Sequence, residues 1–161
     1  IASQRRELGI VKVPQAVEFI SDLLEQEEQV VVFAHHQDVI NQLTELLGEE
    51  YNVASIFGQT PTFVRQNIVD NFQEKKLQCV VLGIQAAGVG ITLTAARVSV
   101  HVEVSWVPAD FEQAKARIRR IGQKNFCTHY VLQYLETIDE TAFNVMQRKD
   151  KTIKKFWEGR K

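Results

Sequence analysis

Val30-Val31-Val32-Phe33-Ala34 is an unbroken apolar run, preceded by Glu27-Glu28-Gln29 and followed by His35-His36. A strand with one wet face alternates apolar and polar residues. This run has no polar position, so as a strand it must be covered on both faces, as in a buried parallel sheet. Cys79-Val80-Val81-Leu82 has the same character, and residues 53–57, 97–102 and 128–133 read as further strands. The intervening segments have helical periodicity. Residues 13–28 place Ala16, Phe19, Ile20, Leu23 and Leu24 on one face, with Pro14 read as a first-turn residue. Residues 38–47 are helical with Gly48 as a stop, 62–73 form another helix, and 139–157 form a long basic one. Strands alternating with helices predict an α/β fold, doubly wound, with a mostly parallel sheet and helices on both faces.

At 161 residues and 45% hydrophobic, the chain suits a single domain over 1–161. Residues 1–29 form its opening segment and first helix, and 138–161 its basic C-terminal helix. The chain opens at Ile1 without an initiator methionine, and is expected to be a piece of something larger. Its formal net charge of -1 does not mark a nucleic-acid binder. Local charge is polarised, however. Lys115, Arg117, Arg119, Arg120 and Lys124 cluster, as do Arg148, Lys149, Lys151, Lys154, Lys155, Arg160 and Lys161. Cys79 and Cys127 lie in apolar strand-like runs and read as buried hydrophobes in a reducing compartment. No apolar run approaches membrane-spanning length and no signal peptide is visible, so an intracellular location without membrane contact is expected.

Ligands of doubly wound sheets gather beyond the carboxyl ends of the strands. After the first strand come His35-His36, too close together for one metal and without Cys or carboxylate at ligand spacing; no metal site is expected. They suit a phosphate backbone or solvent. After the second strand, Gly58-Gln59-Thr60-Pro61 opens a helix bearing Arg65. Thr60 suits either helix capping or, with the first-turn amides, a phosphate. After the third strand, Gly88 and Gly90 sit in a small-residue loop where backbone can approach an anion or simply turn tightly. Trp106 suits stacking on a base or, more simply, fixing the start of the next helix.

That helix carries Gln113-Ala-Lys-Ala-Arg117-Ile-Arg-Arg120-Ile121-Gly122-Gln123. Gln113, Arg117 and Arg120 stand at i, i+4 and i+7, one face of a helix, with Ile121-Gly122 expected to close it. An amide and two forked guanidiniums there suit triphosphate oxygens, although a plain basic surface helix has the same spacing.

In order and spacing, these blocks resemble the second RecA-like lobe of Swi/Snf-type ATP-dependent DNA translocases, within the second superfamily of helicases. Leu8 to Lys12 resembles the family's opening segment, Val31 to His36 motif IV, and Gly58-Gln59-Thr60 with Arg65 the block after it. Ala86 to Leu93 resembles motif V, Trp106-Val107-Pro108 the "WNP" element, and Gln113 to Gln123 motif VI, usually Q-A-x-D-R-x-H-R-I-G-Q. The His-His pair and Glu103 lean toward the annealing-helicase subgroup.

The resemblance implies that Arg120 is an arginine finger for the γ-phosphate and that Arg117 supports that phosphate or the attacking water. Gln113 would orient them, and Gly88 and Gly90 would lie beside the nucleotide. His35, Thr60, Arg65 and Thr92 would contact nucleic acid, duplex DNA being the expected partner. ATP and Mg would be held mainly by an N-terminal RecA-like lobe of the same parent chain, since no G-x-x-x-x-G-K-[ST] loop occurs here. The isolated chain is accordingly expected not to hydrolyse ATP. Ala116, Arg119 and Val107 replace the family's usual Asp, His and Asn, and Gln85 stands where many members carry Lys or Arg. A strand-separating RNA or DNA helicase lobe and a non-catalytic nucleic-acid-binding scaffold are the alternatives. The compartment would be the nucleus in a eukaryote, or the cytoplasm and nucleoid in a bacterium.

Overall fold

The run at Val30–Ala34 is the centre of the sheet, and every residue in it is buried. The computed structural model describes residues 2–27, 29–86 and 90–158. Along the chain come α1 (Ala2–Gln26), β1 (Val30–Ala34), α2 (Gln37–Gly48), β2 (Val53–Ile56) and α3 (Thr62–Gln73). Then follow β3 (Cys79–Gly83), β4 (Val98–His101), α4 (Pro108–Lys115), β5 (Thr128–Val131) and α5 (Ile138–Glu158). The strand order is β2-β3-β1-β4-β5, and every pairing is parallel. Val32 of β1 sits opposite Val81 of β3 and Val100 of β4.

Strand alternation divides the core in two. Val30, Val32 and Ala34 pack with Val39, Ile40 and Leu43 of α2 and Val13, Ala16 and Ile20 of α1. Val31 and Phe33 face the opposite way, toward Val69 and Phe72 of α3 and Ala114 of α4. Each such aliphatic side chain contributes about 1.5–3 kcal/mol through burial, so the central strand is held from both faces. The doubly wound fold expected from the sequence is present, with a wholly parallel sheet.

Three expectations need correction. The first helix begins at Ala2, and Pro14 lies well inside it. The missing amide of Pro14 is tolerated because α1 buries Gly9, Lys12, Val13, Ala16 and Ile20 along one side. The arginine-bearing helix ends at Lys115, so Arg117, Arg120 and the Ile121-Gly122 pair lie beyond it. Gly122 does have a positive φ of 101, but in a later turn and not at a helix end. Of the two cysteines, Cys79 is buried as expected, whereas Cys127 is only partly so.

Between β4, β5 and α4 lies a buried polar chain. Ser99 Oγ is 3.2 Å from His101 Nε2 and 2.7 Å from His129 Nδ1. His101 stacks on Phe33 and meets the edge of Phe111. Burial pushes His101 down to about 3, with His129 and Lys115 adding to the effect. His129 is lowered to about 4, by burial first and then by Lys115 and Arg119. Both rings are therefore neutral in the folded state at pH 5, whereas an unfolded histidine binds a proton below about 6.5. Unfolding then takes up protons, so stability rises with pH across this window and falls on acidification. Denaturant unfolding between pH 6.5 and 4.5 is expected to show an uptake approaching two protons. A pH-independent unfolding free energy there would contradict the buried neutral pair.

Candidate functional site

Because all strands are parallel, their carboxyl ends share one edge, and the loops singled out in the sequence gather there. Glu103 is the organising group between β1 and β4. It is 4% exposed, and its Oε2 accepts hydrogen bonds from His35 N (2.8 Å) and His36 N (2.9 Å). Its Oε1 lies 2.6 Å from His36 Nδ1. His36 is the N-cap residue of α2, so this carboxylate already occupies the anion-favouring end of that helix. Gly9 of α1 permits the close approach: a Cβ there would stand 2.6 Å from Glu103 Oε1. His35 is half-buried, and its pKa is lowered by burial and then by His36 and Arg5.

Thr60, Arg65 and Thr92 form a second region. A groove of about 200 Å³ is lined by Thr62, Arg65, Gln66, Val69, Gly90, Ile91 and Thr92. Arg65 Nη2 reaches Phe57 O and Thr60 O, both at 3.4 Å, while its buried Nε has no partner. A partly dry guanidinium with an idle donor suits an anionic oxygen. Thr60 does not cap α3. Pro61 is the N-cap residue, and the Thr60 hydroxyl turns back to accept from Phe57 N at 3.0 Å. That bond closes the tight turn in which Thr60 N also donates to Phe57 O. His35 is not among the lining residues of this groove.

The arginine pair flanks the same groove. Arg117, 8% exposed, donates from Nε to Gln113 O at 3.2 Å and from Nη1 toward Ile91 O at 3.5 Å. Exposed Arg120 reaches Gly90 O (3.2 Å), Ile91 O (3.3 Å) and Thr92 Oγ1 (3.0 Å) through Nη1. Arg117 N donates to Ala114 O at 3.1 Å and not to Gln113 O, which breaks the helical ladder after Lys115, and Leu93 N donates to Arg117 O at 2.8 Å. Gln113 remains on α4 with its side chain exposed, so the three residues converge through a turn and not along one helix face. Burial, and then Arg120, lower the pKa of Arg117. Among the described residues no carboxylate pairs with either guanidinium. Gly90 has a φ of 60, while Gly88 lies outside the described residues. No cluster of three or more potential metal ligands exists among the described residues, and no helix is long and apolar enough to cross a membrane.

Trp106 is half-buried, with the Arg5 guanidinium 5.6 Å from its ring centroid. Lys149 of α5 donates to its carbonyl at 3.3 Å. Glu103, Lys12 and Gln73 were not visible as organising groups in the sequence. A carboxylate between Val102 and Val104, and an ammonium between Val11 and Val13, are the signals that could have found the first two. Gln73 carries no such mark.

Residues 15–122 match the family described as the helicase conserved C-terminal domain, and the chain belongs to that family. Its similarity runs to the Swi/Snf-related branch. It is 37% identical over 145 residues to the SWI/SNF-related matrix-associated actin-dependent regulator of chromatin subfamily A-like protein 1 of Xenopus laevis, covering 88% of this chain and 15% of that protein. It is 32% identical over 162 residues to the DNA annealing helicase and endonuclease ZRANB3 of Bos taurus, covering 97% of this chain and 15% of the relative. The crystal structure of the C-terminal part of the Fun30 ATPase domain superposes with a TM-score of 0.74 at 27% identity, over 80% of this chain and 44% of that one. The chain thus spans 15% of the length of these two curated relatives.

Glu103→Ala would strand the amides of His35 and His36, and is expected to cost about 3 kcal/mol of unfolding free energy. Glu103→Gln, which keeps one acceptor, should cost less. Urea unfolding of the two variants checks the order, and equal losses would remove Glu103 from its organising role.

Proposed function

We propose that this chain is the C-terminal motor lobe of an ATP-dependent, duplex-DNA-tracking translocase. ATP and Mg would be held mainly by an N-terminal RecA-like lobe of the parent protein, and Arg117 and Arg120 would close on the γ-phosphate from this side. The observation that carries the reading is the pair of guanidiniums at the carboxyl edge, with backbone carbonyls and one hydroxyl as acceptors and, among the described residues, no carboxylate to neutralise them. Two uncompensated cations side by side favour a polyanion, and charge on a transferring phosphoryl group is what such residues stabilise. Gln113 would hold Arg117 through its carbonyl and Gly90 would hold Arg120 in the same way. The groove beside them, with Arg65 and Thr92 in its wall, suits a backbone phosphate of the tracked strand. Thr60 supports that wall through its contact with Arg65, and His35 is a separate, neutral donor to the backbone.

Arg120→Ala in the full-length gene product is expected to lower DNA-stimulated ATP hydrolysis by roughly a thousand-fold or more, with duplex affinity within a few-fold of the parent. The isolated chain should show no turnover. ATP hydrolysis retained by the variant, measured by steady-state phosphate release, would overturn the assignment.

A further inference from the structure

The groove and the arginine turn share one piece of backbone, residues 92–96, gripped by side chains from two sides. From α3, Gln73 Nε2 lies 3.0 Å from Thr94 Oγ1, and Gln73 Oε1 accepts from Ala95 N at 2.9 Å. From beyond the arginine turn, Gln123 Nε2 reaches Thr94 O (3.1 Å), Ala96 O (2.7 Å) and Ile118 O (3.1 Å). Between these grips, Leu93 N is bonded to Arg117 O, and Gln123 N donates to Arg120 O at 3.0 Å. Thr92 itself holds Arg120. The carbonyl of Ile91, which both guanidiniums reach, directly precedes this strip, so the helix that brings Arg65 and Gln66 to the groove ends in a side chain fastened to the backbone that continues from that carbonyl.

We infer that Gln73 is a positioning residue that couples nucleic acid in the Arg65–Thr92 groove to the arginine pair. A phosphate drawn to Arg65 pulls on α3. Gln73 transmits any shift of that helix to Thr94 and Ala95, and so through the adjoining backbone to Leu93 N, which is bonded to Arg117 O, to Thr92, which holds Arg120, and to the Ile91 carbonyl that both guanidiniums reach. Gln73 itself does not line the groove, and among its described contacts none is to either arginine. Its effect should therefore fall on the response to DNA and not on DNA affinity. Thr94 is the other half of the joint, because its hydroxyl is one of the two groups that Gln73 holds.

The inference rests on the function proposed above, and the experiment separates the two. ATP hydrolysis by the full-length gene product is titrated with duplex DNA, giving the maximal stimulated rate and the half-saturating DNA concentration. Gln73→Ala and Thr94→Val are expected to lower the stimulated rate roughly ten-fold with the half-saturating concentration within two-fold. Thr94→Ser, which keeps the hydroxyl, should behave like the parent. Full stimulation in Gln73→Ala alongside an inactive Arg120→Ala would overturn the coupling role and leave the motor assignment standing. A half-saturating concentration that rises in step with the lost rate, or a Thr94→Ser variant as impaired as Thr94→Val, would also overturn it. Parental turnover in Arg120→Ala would remove the reading on which the inference stands.

Discussion

A single buried ammonium ties the edges of this domain together. Lys12 is 2% exposed; it donates to Val102 O and to Leu132 O at 3.2 Å, and the Asp139 carboxylate stands 2.7 Å away as its counter-charge. An ammonium removed from water is costly unless every donor is used and a counter-charge is near. Two carbonyl acceptors and a counter-charge meet it at a point where α1, the exits of β4 and β5, and the start of α5 converge. The arrangement also fixes the position of α1, since Gly9 lies one turn earlier on the same side of the helix and rests against Glu103. Removing a partner would leave a charge stranded, so these four elements must be present together.

From this junction the support runs toward the chemistry. Val102 N donates to Phe33 O, so the exit of β4 stays in register with β1 for one residue beyond the strand. Glu103 then secures the two histidine amides and the start of α2. The next turn holds Trp106 between Arg5 of α1 and Lys149 of α5, the two helices that Lys12 joins. Pro108 opens α4 directly after it, and the end of α4 delivers the arginine turn. The arginines are positioned by a chain of contacts that begins at the opposite edge of the sheet from the groove-forming helix α3.

The strands were legible because a doubly covered strand leaves a continuous apolar run, and Val30–Ala34 and Cys79–Gly83 are such runs. The helices were legible where periodicity set them, as at Thr62–Gln73. Elements fixed by tertiary hydrogen bonds were not. Nothing at Ala116 or Arg117 says that the Arg117 side chain will take the Gln113 carbonyl while its amide turns to Ala114 O, so that the helix ends at Lys115. The Thr60 hydroxyl had two nearby amides to choose from, and the tight turn at Gly58-Gln59 gave it Phe57 N and not the helix. Pro14 looked like a helix start because local preference puts proline there, but the packing face of α1 outweighed that preference. The candidate residues among those described lie in the loops at the carboxyl edge of the sheet and on the segments that follow them. Their grouping, with Arg65 and Thr92 at one groove and His35 apart from it, depended on which loops face each other.

The replacement of an acidic residue by Ala116 changes how the arginine pair is held. A carboxylate at that position could orient a guanidinium, but it would also neutralise part of the pair's positive charge. Here Arg117 and Arg120 rest on carbonyls of Gln113, Gly90 and Ile91, which accept hydrogen bonds without carrying a net charge. No carboxylate among the described residues offsets the charge of the pair, while orientation falls to backbone carbonyls, of which that of Ile91 directly precedes the strip that Gln73 and Gln123 grip. A pair oriented by backbone moves when that backbone moves, whereas a pair held by its own carboxylate could stay in place. In this chain the loss of the acid makes the arginines more dependent on the groove beside them.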